Sequence, residues 1–457
     1  MVSWHDYLTE RKERLLQDLR EFLAIPSVST DPARGGDVRR AAEWAAERLK
    51  AAGFPDARVC ETAGHPVVCA EWLGAPGRPT VLVYGHFDVQ PPGPLELWQD
   101  PPFEPTLRQG RIYARGASDM KGNLLIAVAA CEAWLQSEGR LPVNVKFLLE
   151  GEEEVGSPSL PAFLAEHRDL LRADLAVSAD SGQVSEDQPM LLLALRGLAG
   201  LQIDVRSAAV DLHSGIMGGI APNAVHALVR ILDSMRAPDG RILVDGFYND
   251  VRPLTPEERQ EMARIPDDTG AFLRAVGIRA ASGESGFTPR ERNWARPTLE
   301  VNGIWGGYEG DSLKTVIPCE AHAKITCRLV ADQDPRRILG LLERHVHAHA
   351  PEEVQVSVLP LPGQGFPYRI PDDHPGLLAA ERALLAVYRR APYRYRMGAS
   401  VPVTALLQEI LGIHTVAFGF SMFDEGMHAP NEFLRLKNFE RGQEAFCRLL
   451  EELGRQA

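Results

Sequence analysis

Val81-Leu82-Val83-Tyr84-Gly85-His86-Phe87-Asp88 opens as an uninterrupted apolar run and ends in an imidazole and a carboxylate two residues apart. The first half reads as a strand buried on both faces, because alternate side chains point to opposite sides of a sheet. Val143 to Leu149 and Leu175-Ala176-Val177 are further runs of this kind, and a fourth strand is expected over Thr415 to Phe420. Between them, residues 122 to 138 place Leu125, Val128, Ala129 and Trp134 at helical spacing, and 375 to 390 is helical too. Strands alternating with helices predict an α/β domain, a mostly parallel sheet with helices on both faces. An opening helix over residues 5 to 24 stops at Ile25-Pro26, where proline disfavours helical geometry before it.

The middle of the chain has another rhythm. Leu201, Ile203 and Val205 alternate, 223 to 236 is helical, and Thr298 to Ile304 is a strand. Ala321, Ala323, Ile325, Cys327 and Leu329 alternate again, followed by a helix over 334 to 344 and a strand through Val354, Val356 and Val358. The order β-α-β-β-α-β predicts an inserted α+β, ferredoxin-like domain, interrupted by a Pro- and Gly-rich segment at 245 to 297. The expected division is one domain over 1–195 and 363–457 and an inserted one over 196–362.

Composition narrows the function. Asp plus Glu outnumber Lys plus Arg by 62 to 49, and with no basic stripe to offset that excess a phosphate backbone would be repelled, so no nucleic-acid partner is expected. No apolar stretch approaches the ~20 residues of a membrane helix, and Met1-Val2-Ser3-Trp4-His5-Asp6 does not open a secretory signal. A cytoplasmic protein is expected. The six cysteines form no CxxC pair and read as reduced thiols rather than metal ligands.

The chemistry lies after the strands. His86 and Asp88 follow the first; Asp119 follows Ile112 to Gly116; Glu152-Glu153-Glu154 follow Val145 to Glu150; Asp180 follows Leu175 to Ala179; His428 follows Val416 to Phe420. Ligands of open α/β sheets bind beyond the carboxyl ends of strands, so five loops should deliver imidazoles and carboxylates to one place. Carboxylates gathered in that way call for divalent cations, and a His and carboxylate set without thiolate suits zinc, manganese or cobalt. At i and i+2, Asp88 is placed to accept the other N–H of His86 and fix its orientation. Glu153 and Glu154 point in different directions, so one can ligate while the other reaches a bound water. Glu152 reads as a solvated loop residue, and His345, His347 and His349 as an exposed helix end.

His86-Phe87-Asp88, Gly116-Ala117-Ser118-Asp119-Met120-Lys121-Gly122, Glu150-Gly151-Glu152-Glu153-Glu154-Val155-Gly156-Ser157 and the late His428 resemble the M20 family of dinuclear metallopeptidases and amidohydrolases. His213-Ser214-Gly215, Lys314-Thr315-Val316-Ile317-Pro318 and Arg328-Leu329-Val330 are most similar to its carnosinase-like dipeptidase branch. The resemblance implies a zinc-peptidase-like fold with an inserted lid and dimerisation domain. It implies two divalent metal ions, zinc first and manganese or cobalt otherwise: one held by His86, Asp119 and Asp180, the other by Asp119, Glu154 and His428. Glu153 is then the general base for water bridging two cations ~3.5–4 Å apart, and the Asp119-Met120 peptide is cis. Arg328 clamps the carboxylate of a small peptide substrate, Ser400 and Arg396 from the Arg396-Met397-Gly398-Ala399-Ser400 run assist it, and Thr315 lines the pocket. His213 is implied to act in the partner's cleft of a homodimer whose active site is completed in trans.

The branch also carries a histidine where this chain has Gly363-Gln364-Gly365, so the carboxyl-side pocket is expected to take other residues. The second reading is an N-acyl amino acid deacylase, a desuccinylase or deacetylase, cutting the same bond with the same metals. A serine hydrolase is disfavoured, since neither Ser181 nor Ser400 sits in G-x-S-x-G.

Overall fold

The computed structural model describes residues 3–455; Met1 and Val2, where the amino-terminal reading begins, lie outside them. Among the described residues the chain forms two compact units, one running to Leu192 and resuming over Ile370–Arg394 and from Pro402, the other Leu193–Arg369 with Tyr395–Val401. The last segment is a correction to the expected division: residues 395–401 group with the inserted unit, because Arg196 and Arg328 hydrogen-bond to them.

The first unit is built on six strands in the order Arg58–Cys60, Val67–Trp72, Asn144–Glu150, Thr80–His86, Leu175–Ser178, Thr415–Ala417. The last four are mutually parallel and the first two antiparallel. Val81 to His86 are buried without a break, so both faces of the sheet are covered. The Trp4–Leu23 helix buries Leu8, Leu15, Leu19, Phe22 and Leu23, the stripe its spacing predicts. Thr80–His86 runs between Asn144–Glu150 and Leu175–Ser178. The connection out of Thr80–His86 runs to Asn144–Glu150 on one side, and the connection out of Asn144–Glu150 runs back past it to Leu175–Ser178 on the other, which makes the carboxyl ends of these two strands the switch point where a crevice opens.

One strand was misplaced by the sequence. Arg111–Tyr113, ahead of Asp119, is not in this sheet; it pairs antiparallel with Thr106–Arg108 and Phe433–Arg435 in a small sheet of its own. Its apolar residues are too few to indicate which neighbours it joins.

The inserted unit orders its strands Thr298–Trp305, Glu320–Leu329, Gly197–Arg206, Gln355–Pro360, all antiparallel, with the crossing expected of a ferredoxin-like arrangement. Leu201, Ile203, Val205, Ala323, Ile325 and Cys327 face one side, packed on Leu228 and Ile231 of Ala224–Ser234 and Ile338 and Leu342 of Pro335–His349. Residues of the other parity, among them Leu198, Gln202, Lys324 and Arg328, share the opposite face. Residues 245 to 297 contain the short helices Pro256–Arg264, Thr269–Ala275 and Pro289–Ala295. His345 departs from the exposed helix end expected of it: 8% exposed, it is hydrogen-bonded to the Ser234 hydroxyl at 3.0 Å and stacked on His349.

Candidate metal centre

His86 closes the central strand and is fully buried. Its Nδ1 lies 3.0 Å from the backbone carbonyl of Asp88, so that nitrogen carries a proton and Nε2 is the atom turned toward the cluster. Nε2 is buried without a hydrogen-bond partner, 3.3 Å from Asp119 Oδ1. The expected partnership with Asp88 is therefore made by its main chain, while the carboxylate, 3.5 Å from Nδ1, serves elsewhere. It accepts from the Ser29 hydroxyl (2.6 Å) and the backbone N–H groups of Glu153 (3.2 Å) and Glu154 (3.0 Å). Asp88 thus fastens the glutamate turn to the histidine's own strand.

That turn, Glu153–Val155, is closed by Gly156 at φ 85°, a conformation a side chain would strain. The adjacent glutamates diverge. Glu154 reaches Gln90 Nε2 at 2.9 Å and His428 Nε2 at 3.4 Å, leaving Oε1 buried and unpartnered; Glu153 Oε2 lies 4.0 Å from His86 Nε2. Glu152 is not solvated: it is buried and accepts the backbone N–H groups of His65 (2.8 Å) and Ser159 (3.1 Å). Glu152→Ala is expected to destabilise the fold by about 1–3 kcal/mol, the cost of stranding buried donors. Denaturant titration checks this, and an unchanged midpoint would contradict the structural role.

Asp119 lies in the turn Ala117–Lys121 that leads into Gly122–Glu138, and its peptide bond to Met120 is cis. Gly122 has no room for a Cβ, which would sit 2.4 Å from the Ala117 carbonyl oxygen. The two oxygens of Asp119 face opposite ways, Oδ1 toward His86 and Oδ2 toward His428 Nε2 at 2.9 Å. His428 takes φ 61° in a loop pinned by Asn431, which accepts from the Gln99 N–H and donates to the Leu97 carbonyl. Glu432 was missed by the sequence reading. Fully buried, its carboxylate accepts from Arg115 Nη1 (2.6 Å) and the backbone N–H groups of Gly116, Ser118 and Asp119, tying the His428 loop to the Asp119 turn.

Among the described residues, three sets of ligand atoms lie within 4.8 Å of one another: His86, Asp119 and Asp180; Asp119, Glu154 and His428; and His86, Glu153 and Glu154. The sets interlock, and carboxylates outnumber imidazoles. Burial pushes the Glu153 carboxyl up to about 8 against the pull of His86, with Asp180, Glu154 and Asp119 adding to the rise. Burial and Asp119 raise Asp180 to about 6. The hydrogen bonds to Asp119 and Glu154 raise His428 to about 10. Burial opposes a charge on His86, but Asp119 and Asp88 outweigh it and hold its pKa well above the ordinary value. A cluster so short of positive charge, with a free imidazole nitrogen and an orphaned carboxylate oxygen pointing into it, fits two divalent cations. Nitrogen and oxygen donors without sulfur suit zinc, manganese or cobalt.

The remaining predicted residues belong to the inserted unit. Arg328 Nη1 donates to Ser400 Oγ at 2.9 Å, and Ser400 gives its own proton to the Arg196 carbonyl at 2.5 Å, so the serine orients the arginine. His213 and Thr315 are neighbours on a short ribbon, Leu212–His213 against Val316–Ile317, and both are exposed. His213 Nδ1 accepts from the Gly215 N–H at 3.0 Å, which leaves Nε2 as the donor of the neutral ring. Arg396 does not join either pair: buried, it is 2.5 Å from Glu258, a carboxylate shared with Arg369 (3.1 Å) and Arg252 (3.3 Å).

Among the described residues no helix is long and apolar enough to cross a membrane. The family model for peptidase family M20/M25/M40 matches residues 82–452. A Cys-Gly metallodipeptidase of Candida albicans is 28% identical over 96% of this chain and 94% of its own length. The human Beta-Ala-His dipeptidase is 29% identical over 98% and 91%. A solved M20 family metallo-carboxypeptidase from Sulfolobus solfataricus superposes with a TM-score of 0.78 at 31% identity, covering 96% of this chain and 99% of that one. Motifs, sheet order, interlocked ligand sets and these similarities agree: the chain is a hydrolase belonging to peptidase family M20/M25/M40.

Proposed function

We propose that the chain is a dinuclear metal-dependent dipeptidase that cuts dipeptides or short peptides. The observation that carries this reading is Asp119, one carboxylate whose two oxygens each face a different histidine, making it the shared edge of two three-residue sets. His86, Asp119 and Asp180 would hold one cation and Asp119, Glu154 and His428 the other, zinc being the first candidate. When bound, such a pair polarises the scissile carbonyl and acidifies water.

The side chains do the rest. Glu153 takes the proton from the attacking water and returns it to the departing amine. Asp88 keeps Glu153 and Glu154 in place through their backbone N–H groups. Arg328, aligned by Ser400, holds the substrate carboxylate beside Thr315, and His213 donates from Nε2 to the oxyanion of the tetrahedral intermediate. Because His213 lies on the inserted unit, we assign it to the cleft of a partner copy in a homodimer. Arg396 serves here to anchor Glu258 rather than to touch substrate. The six free cysteines suit the reducing cytoplasm.

The test is a substrate screen on metal-depleted and metal-restored protein. Dipeptide hydrolysis is expected to vanish on chelation and return with zinc, manganese or cobalt, while N-acetyl and N-succinyl amino acids stay intact. Chelator-resistant turnover would sink the metal reading, and preference for the N-acyl compounds would make the protein a deacylase.

A further inference from the structure

Two arginines stand at one end of the inserted unit's sheet, on the face opposite Ala224–Ser234 and Pro335–His349, where the short helices Thr269–Ala275 and Pro289–Ala295 help line the same cavity. Gly197 pairs with Leu329 and Leu198 with Arg328. By alternation Arg196 and Arg328 share the face opposite Ala199, Cys327 and Leu329, which belong to the core. Arg196 directly precedes Gly197, where the ladder begins, so it lies just beyond the pairing and diagonal to Arg328. Arg196 is 8% exposed and held rigidly: its Nε donates to the Gly398 carbonyl at 2.9 Å, its N–H to the Ala399 carbonyl at 3.1 Å, and its own carbonyl accepts from Ser400.

What this framework aims is a cation without an anion. Arg196 Nη1 is buried with no hydrogen-bond partner, and among the described residues neither Arg196 nor Arg328 makes an ion pair. Burial, then the charge of Arg328, lowers the Arg196 pKa to about 10, and Glu300 offsets this only weakly. Both arginines line a cavity of about 540 Å³. The part-buried cations beside it are already satisfied, since Arg296 binds Glu284 through two contacts of 2.8 Å, while Arg292 Nε donates to the Glu284 carbonyl at 2.7 Å. Arg236, exposed, also lines the cavity. Like charges side by side, Arg196 buried and Arg328 part-buried, are costly unless a counter-charge arrives, and a ligand with two carboxylates supplies one for each arginine.

We propose that Arg196 is a specificity-determining residue that reads a second carboxylate on the substrate. Resting on the dipeptidase reading, the assignment places the α-carboxylate of the carboxyl-terminal residue on Arg328 and the side-chain carboxylate of a terminal Asp or Glu on Arg196. Preferred substrates therefore end in an acidic residue. The isosteric amide is the poorer ligand, because it brings no charge and offers one accepting oxygen where the carboxylate offers two.

Metal-loaded, full-length protein is assayed on Ala-Glu, Ala-Gln, Ala-Asp, Ala-Asn and Ala-Leu, and the binding of free L-glutamate and L-glutamine is measured by calorimetry. The parent is expected to favour Ala-Glu over Ala-Gln in kcat/KM by about 10–100-fold, the worth of a charged hydrogen bond. Arg196→Met should erase that preference, bringing the ratio of kcat/KM for Ala-Glu to that for Ala-Gln to about one. Arg196→Lys, which keeps the charge and loses the planar fork, should fall between. Equal turnover of Ala-Glu and Ala-Gln by the parent would overturn the proposal whatever the variants do, as would an equal loss on every substrate in folded Arg196→Met. If no dipeptide is cleaved, the dipeptidase reading fails, and glutamate binding no tighter than glutamine binding overturns the Arg196 assignment separately.

Discussion

A Glu153→Gln protein is expected to keep its fold and its metal while losing about 10²–10⁴-fold in turnover, because the amide can no longer accept and return a proton. The structure separates this residue from its neighbour. Glu154 is tied to His428 and Gln90 with one oxygen buried and orphaned, the situation of a ligand. Glu153 stands 4.0 Å from the His86 nitrogen assigned to a cation, where a carboxylate can serve a water molecule of the cluster. Glu154→Gln should accordingly lose metal, and activity with it. Metal content per chain, measured beside single-turnover rates, distinguishes the two. Full activity in metal-loaded Glu153→Gln would remove the base assignment. Tight binding of two metals by Glu154→Gln would mean that the two roles are exchanged, since His86, Glu153 and Glu154 also form a set within ligand distance.

The parts legible in the sequence are those encoded by local periodicity. Val81 to Tyr84 reads correctly as a doubly buried strand because no polar residue interrupts it, and Leu201-Ile203-Val205 reads correctly as half-buried because one face of that sheet is covered and the other is not. Where a residue's role depends on partners distant in the chain, the reading fails. Glu152 looked like a loop acid because its partners, the N–H groups of His65 and Ser159, are backbone atoms that no residue identity reveals. Glu432 is a hub for the same reason, its acceptors filled by Gly116, Ser118 and Asp119 across the fold. Asp88 shows a subtler limit. The i, i+2 spacing places it beside His86, but whether the imidazole meets its carboxylate or its carbonyl depends on a third element, the glutamate turn, which competes for the carboxylate. Arg196 carried no signal at all: between Leu195 and Gly197 it resembles any strand-end cation, and its distinction is the buried guanidinium nitrogen without a partner.

His213→Ala is expected to lose about 10²–10³-fold in turnover, the typical cost of one oxyanion donor, with metal content untouched because no ligand set among the described residues contains it. The geometry supports a donor role in particular. The N–H of Gly215 occupies Nδ1, so the neutral ring must carry its proton on Nε2, and the side chain is exposed beside Thr315 rather than buried in its own unit. A residue exposed on the inserted unit reaches reacting atoms either in its own chain or in another copy, and mixing decides between them. When inactive His213→Ala and inactive Glu153→Gln subunits exchange, a heterodimer completed in trans pairs the intact Glu153 of one chain with the intact His213 of the other, restoring one of its two sites. At equal amounts and full exchange about half the dimers are mixed, so about a quarter of parental activity should return. Action within one chain predicts none, because each chain then carries a lesion in its own site. Exchange is verified independently by mass-tagged subunits, so that silence in a fully mixed sample places His213 in the cleft of its own chain, and recovery near a quarter places it in its partner's.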